Sequence, residues 1–389
     1  MNKYNFDKLK DRRKSSSLKW DVKENELPMW VADMDFECLD EIKESIIKIG
    51  EFGIFGYSEL KDSYFEAYSK WLKKRHNFDV DIKNMVYSSG VVASISSMVR
   101  KLTSVGEKVL VFTPTYNIFF NSIINNGRFV VESPLIYDSN YNYSFDFNDI
   151  EEKLKDPQLS LIILCNPQNP VGKINTKEEM LKLALLADKY HKIIISDEIH
   201  SDITIPSKEY IPFLSIGEIA KRVGISCHAL GKTFNVAGIQ AACIICFDEN
   251  RRYKIFRGIN TDEVGEPNIF AQEVTLAAIN NGDRWVDELN EYIYNNKKIF
   301  VDLINNSSLK IKTYLSDATY LAWVDCRKYN KSSNTLEKEI REKTGLIISS
   351  GSIYGKSGEG FIRINLGTSK ENVIKGANKI IEYFKELEK

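Results

Sequence analysis

Four short stretches of the chain join a chemically capable side chain to residues that make turns. Asp197 stands in SDEIHSD (196–202), directly after the apolar run IIIS. Asn169 stands in NPQNPVG (166–172), after the apolar run 161–165. Lys232 stands in HALGKTFNVAG (228–238), after the strand-like run 223–228. The fourth stretch, VYSSGVV at 86–92, reads as a strand turning into a helix that begins near Val91. In open α/β sheets ligands bind at the carboxyl ends of strands, and each stretch falls at such an end. A lysine near a cationic or apolar pocket has a lowered pKa and can form a Schiff base with a carbonyl. Gly231 and Gly238 let backbone approach it closely. A carboxylate at a strand end can keep a pyridine nitrogen protonated, which makes the ring an electron sink. A loop stiffened by two prolines and a glycine can hold the Asn169 amide against a phenolic oxygen. A helix start at Gly90, Val91 and Val92 offers free N–H groups and a positive dipole end to a phosphate. Taken singly, these are a helix cap, a rigid turn, a snorkelling lysine and a helix start. Taken together, they describe a site for pyridoxal 5'-phosphate, because a purely structural explanation has to produce all four independently.

Such a site needs strands that end side by side. KVLVF (108–112), LIILC (161–165), IIIS (193–196) and the run 241–247 read as strands. Between the second and third, Thr176 caps a helix and Glu179 completes a capping box. Met180, Leu183, Ala184 and Ala187 then follow the i, i+3, i+4, i+7 spacing of one buried face. Strand, amphipathic helix, strand is a βαβ unit, and several of them imply a mostly parallel sheet covered by helices. After about residue 285 the texture changes. An amphipathic stretch (285–304) precedes strand signals at 319–325, 346–349 and 361–366, and a helix over 370–387 closes the chain. The expected fold class is α/β. A large domain with a mainly parallel sheet flanked by helices spans 46–284, and a small α+β domain spans 285–389. The N-terminal segment, 1–45, packs with the small domain.

Composition narrows the function. Lys plus Arg number 53 against 54 Asp plus Glu, for a net charge of −1, and nucleic acid needs a concentrated basic surface. The N-terminus MNKYNFDKLKDRRKSS lacks the apolar core of a secretory signal. No run of about 18 apolar residues predicts a membrane span, so a cytoplasmic location is expected. Six cysteines are scattered, unlike a disulfide framework. Cys243 and Cys246 form a C-x-x-C within AACIICF, a run that reads as a buried strand, where residues three apart face opposite sides. They are expected to be core residues, and the four histidines show no metal-binding spacing. No metal is implied.

Over essentially its whole length the sequence resembles the class I/II aminotransferases, the fold type I pyridoxal-phosphate enzymes. NPQNPVG (166–172), SDEIH (196–200), GKTFN (231–235) and FIRINLG (361–367) carry the resemblance. Within that superfamily it is similar to the PatB/MalY branch of cystathionine β-lyases, or cysteine-S-conjugate β-lyases. That narrower likeness rests on LKWD (18–21), LPMWVADMDF (27–36), FGYSEL (55–60), TPTY (113–116) and KTFNVAGIQ (232–240). The resemblance implies that Lys232 carries the cofactor, Asp197 faces its ring nitrogen and Asn169 its phenolic oxygen. Tyr116 stacks on the ring and joins the catalytic residues, while Gly90, Val91 and Val92 bind the phosphate. Tyr57 reaches the phosphate held by a neighbouring subunit, which implies a homodimer. Arg363 clamps the α-carboxylate of an amino-acid substrate, aided by Asn169 and by backbone near Val31 and Ala32. A guanidinium fork suits that task because it matches a carboxylate bidentately.

The sequence departs from the wider superfamily in three places. The triplet before the lysine is Ala229–Leu230–Gly231, where relatives carry small hydroxyl residues, so Thr233 or Ser226 is the expected replacement as phosphate ligand. Gln240 stands where an arginine often grips the phosphate. His200 replaces a tyrosine three residues after the aspartate. It is grouped with the cofactor-binding residues, its role open between structural and catalytic. The expected reaction is α,β-elimination from cystathionine or related cysteine thioethers. Lys232 takes the Cα proton, a thiolate leaves Cβ, and hydrolysis gives pyruvate and ammonia. An aminotransferase is the rival reading, since the same residues serve both. A regulatory protein that merely retains the cofactor is a third, opposed by the intact Lys232, Asp197 and Arg363.

Overall fold

The apolar runs of the central sequence become strands buried on both faces, as a parallel sheet covered by helices requires. A computed structural model describes residues 3–389. Its main sheet has seven strands in the spatial order Met85–Ser88, Ala242–Ile245, Gly224–His228, Ile193–Asp197, Leu159–Cys165, Lys108–Thr113 and Phe129–Pro134. The last five pair in parallel, and only Ala242–Ile245 runs antiparallel to its neighbours. Alternation along each strand divides the core. Leu110, Ile162, Leu164 and Ile194 face helices Asp62–His76, Lys177–Lys189 and Ala271–Asn281. Val109, Val111, Ile163, Ile195 and Ile225 face Val91–Leu102 and Glu249–Thr261. Cys243 and Cys246 fall in these two opposite cores, as their spacing demands.

The helix Lys177–Lys189 begins on a capping box made by Thr176 and Glu179, and buries Met180, Leu183, Ala184 and Ala187. A second sheet is antiparallel, in the order Lys312–Thr313, Leu321–Asp325, Phe361–Asn365, Ser349–Ser350. Helices Asp283–Asn305, Ser333–Thr344 and Lys370–Leu387 pack on it.

Two strand expectations change. The run 346–349 divides at Ile348: Leu346–Ile347 pairs in parallel with Leu27–Pro28, while Ser349–Ser350 pairs with Phe361–Asn365. Its two halves have different partners, so one continuous strand cannot form. Phe129–Pro134 is an additional strand at the sheet's edge, and Phe129 is largely exposed. Its half-exposed pattern hides it among the loops. Among the described residues no helix is long and apolar enough to cross a membrane.

Candidate active site

Strand register brings the singled-out loops together. Cys165 pairs with Asp197 and Asp197 with Cys227, so the segments after these strands leave the sheet side by side. With the start of helix Val91–Leu102 they enclose a cavity of about 300 Å³. Gly90, Val91, Val92, Tyr116, Asn169, Asp197, His200 and Lys232 line it, and Ala32 closes it from the N-terminal segment.

Lys232 projects from a tight loop. The N–H of Phe234 donates to the Leu230 carbonyl and that of Val236 to Gly231, both at 2.9 Å. A Cβ at Gly231 would sit 3.0 Å from Cα of Ala237, so a side chain there would press on the backbone of the same loop. Gly238 has open space and no such constraint. The cavity leaves Lys232 partly accessible, yet protein atoms crowd its amine, which donates to the Ala32 carbonyl. Burial lowers its pKa to about 8, with Asp33 and Asp197 opposing the shift and Arg363 adding to it.

Asp197 is 4% exposed and accepts the N–H of Ile199 at 3.1 Å. Burial raises its pKa to about 6, against the opposing pull of Lys232. It makes no ion pair among the described residues, so a buried carboxylate faces the cavity without a cation bonded to it. Burial also pushes Tyr116 up to about 12, which keeps the phenol neutral. His200 is driven down to about 3 by burial and then by the cations Lys232, Arg363 and Lys297. It is therefore a neutral ring, set edge-on to Tyr320, and its Nδ1 has no partner among the described residues.

Asn169 sits in a loop pinned from several sides. The Gln168 amide donates to the carbonyls of Phe112 and Pro114 at 2.9 and 2.7 Å. Asn166 accepts the N–H of Asn175 at 3.0 Å. Gly172 adopts φ +72°, and a Cβ there would lie 2.6 Å from Oγ of Ser316, so glycine is required on both counts. Oδ1 of Asn169 accepts from Nη1 of Arg363 at 3.2 Å, which leaves its amide nitrogen as a donor. Arg363, 5% exposed, also donates from Nη2 to the Trp30 carbonyl at 2.6 Å. Its Nε has no acceptor, and no carboxylate pairs with it, among the described residues. A buried charge normally has such a partner.

Gly90 caps the helix Val91–Leu102. The first turn of a helix has no internal acceptors for its N–H groups, and these line the cavity. The hydroxyl replacements expected for the phosphate do not reach it: Thr233 donates to Asp202 at 2.9 Å, and Ser226 bonds His228 at 3.0 Å. Both are buried behind the wall, whereas Ser89 and Gln240 line the cavity. The Val31 carbonyl is taken by Asn365, so of this backbone Trp30 meets Arg363 and Ala32 meets Lys232. Tyr57 is fully exposed and lies outside the cavity of its own chain.

The N-terminal motifs acquire a physical role here. Lys19, buried, pairs with Asp35 at 3.0 Å, and Arg12 bonds Asp33 at 2.7 Å and Asp35 at 3.0 Å. Asn235 exchanges hydrogen bonds with the Met34 backbone and donates to the Phe36 carbonyl. LKWD and WVADMDF thus hold the 30–32 backbone against Lys232 and Arg363. Contacts like those of Trp30 and Tyr320, whose hydroxyl donates to Ala32 at 2.9 Å, carry no local sequence signal.

The profile of the aminotransferase class I and II family matches residues 25–380. The chain is 36% identical over 382 residues to cystathionine beta-lyase PatB of Bacillus subtilis (strain 168), covering 97% of this chain and 98% of that one. It is 29% identical over 386 residues to protein MalY of Escherichia coli (strain K12), covering 97% and 98%. Among solved structures, the PLP-bound C-S lyase from Staphylococcus hominis superposes with a TM-score of 0.91 at 30% identity, over 98% of this chain and 99% of that one.

Proposed function

Because the chain belongs to the aminotransferase class I and II family, we propose to read its cavity as that of a carbon–sulfur lyase. The protein is a pyridoxal-phosphate-dependent enzyme of the PatB/MalY type. It cleaves cystathionine or related cysteine thioethers by α,β-elimination, giving pyruvate, ammonia and a thiol. One observation carries the reading: Lys232 with a lowered pKa, Asp197 without a cation and the open helix start meet at one cavity, with the Arg363 fork beside it. Among the described residues Asp197 makes no ion pair and Nε of Arg363 has no acceptor, while the Lys232 amine donates to a backbone carbonyl alone, so the residues fit the cofactor.

Lys232 would hold the cofactor through its amine, Asp197 would face its ring nitrogen, and Asn169 would donate to its phenolic oxygen. Tyr116 would cover the ring, His200 would add a neutral neighbour, and Gly90, Val91 and Val92, which line the same cavity, would hold the phosphate. Arg363, with Asn169 and the backbone at Val31 and Ala32, orients the substrate through its α-carboxylate. When bound, the cofactor supplies an electron sink for the pair left at Cα. The Lys232 amine, as a free base, takes the Cα proton. A base whose pKa is near 8 holds a useful fraction of free amine at neutral pH. The C–S bond then breaks with its electron pair on sulfur. Water converts the remaining three-carbon fragment to pyruvate and ammonia.

A homodimer belongs to this proposal. Phe52, Ile54, Phe55 and Tyr57 are exposed within six residues, an apolar strip that a second copy would cover. Tyr57 then serves the partner's phosphate site. A cytoplasmic location is supported by six cysteines that form no disulfide. The function is tested by product analysis after incubation with L-cystathionine. Pyruvate, ammonia and homocysteine in equal amounts are expected, and amino-group transfer without ammonia would contradict the reading.

A further inference from the structure

Behind the cavity wall, Asp202 is buried where three segments of the chain meet. Its carboxylate accepts from Nε2 of His76 at 2.8 Å, Oγ1 of Thr233 at 2.9 Å and Nε1 of Trp71 at 3.2 Å. An ionised carboxylate can only accept, so His76 carries a proton on Nε2. Although burial opposes ionisation, the bond and charge of His76, the nearby Arg75 and the Thr233 hydroxyl hold the Asp202 carboxyl below its ordinary range. The Asp202 carbonyl accepts from Asn290 at 2.8 Å. Trp71 and His76 lie on helix Asp62–His76, and Asn290 on Asp283–Asn305. Asp202 itself follows Asp197 by five residues.

Thr233 directly follows Lys232 in the loop closed at Leu230 and Gly231. Its side chain is fully buried against Asp202, while that of Lys232 reaches the cavity. Asn235 fastens the loop's other side to Met34 and Phe36. Two anchors thus hold the backbone from which the lysine projects, and one of them belongs to the segment that carries Asp197.

We propose that Asp202 is a positioning residue for the reaction, fixing Lys232 relative to Asp197 through its hydrogen bond to Thr233. This rests on the reading that Lys232 carries the cofactor and takes the Cα proton. A proton-transfer group must lie within hydrogen-bond reach of its target, and misplacement by about 1 Å can cost on the order of a hundredfold in rate. A purely stabilising role for Asp202 would lower the melting temperature and leave the rate constant alone.

The experiment compares cofactor-loaded Thr233→Val and Thr233→Ser with the parent enzyme. Kinetics with L-cystathionine, the pH titration of the cofactor's visible band and borohydride fixation followed by peptide mapping are the readouts. Thr233→Val removes the hydroxyl. It should lower kcat by about tenfold or more through misplacement of the lysine, with KM little changed and the visible band's titration displaced. Thr233→Ser restores the hydroxyl and should recover both. Parent-like kcat and titration in folded, loaded Thr233→Val would overturn the proposal, as would a serine variant no better than valine. Should Thr233→Val fail to fold, Thr233→Ala removes the hydroxyl without adding bulk and faces the same two outcomes. The borohydride label separates the two readings. A label on another lysine removes the Lys232 assignment, whereas a label on Lys232 with unchanged kcat removes the role of Asp202 alone.

Discussion

The guanidinium of Arg363 lies buried among the Trp30 carbonyl, the Asn169 amide and the ring of Tyr354, with Nε unpartnered among the described residues. Replacing it by lysine keeps the charge and loses the planar fork, so the change is not conservative at a bidentate site. Loss of one charge-assisted hydrogen bond costs about 2 kcal/mol, or roughly thirtyfold in kcat/KM. Steady-state kinetics of Arg363→Lys should show that loss with cofactor content unchanged, and parent-like kinetics would remove Arg363 from the site. Lys232 adds a pH signature. Its folded pKa of about 8 lies below the ordinary 10.5, so below pH 8 the amine is mostly protonated and above it mostly free. Only the free amine attacks a carbonyl. Stopped-flow capture of pyridoxal phosphate by cofactor-free protein should therefore speed up as pH rises and level off above about 8. A rate still climbing tenfold per pH unit toward 10 would mean the lysine is not perturbed.

At the scale of elements, much was readable because the chemistry sits on local punctuation. Asp197 and Asn169 each follow a continuous apolar run and Lys232 a strand-like one, and a parallel sheet gathers such strand ends on one side. The helix over Lys177–Lys189 was equally plain, since cap and periodicity lie within one stretch. What escaped was set by distant partners. The run 346–349 divides because Leu27–Pro28 claims its first half, and no residue within the run announces that. The Trp30 carbonyl and Tyr320 meet their partners across separations of more than a hundred residues, and Asp202 approaches the site only through its bond to Thr233. Thr233 looked available for a phosphate until the fold turned it toward Asp202. The NPQNPVG loop offers a test at this scale. Gly172→Ala places a methyl group where φ is +72° and where Ser316 and Ala318 stand within 2.7 Å. Left-handed strain and the clash together should destabilise the protein by about 3 kcal/mol, measured by urea denaturation. Activity should fall as well, because Asn169 moves with the loop. An unchanged midpoint would show that the loop yields freely.

For the whole molecule, the proposed homodimer would complete each site with Tyr57 of the other copy, whose own side chain is fully exposed. Tyr57→Ala and Lys232→Ala should each be inactive, or nearly so, as homodimers. After mixed refolding, half of the sites in a heterodimer regain both residues, so activity should return, and no recovery would show that Tyr57 does not complete the partner's site. The claim that most needs testing is the fate of the substrate's electrons. In elimination they leave with sulfur and the enzyme is regenerated each cycle. In transamination they remain on the cofactor until a keto acid removes them. The deciding measurement is turnover of L-cystathionine by cofactor-loaded enzyme with no keto acid added, followed as pyruvate and free thiol per active site. Continuous release over many turnovers is the predicted result. A single stoichiometric burst, with sustained turnover only after a keto acid is supplied, would contradict it.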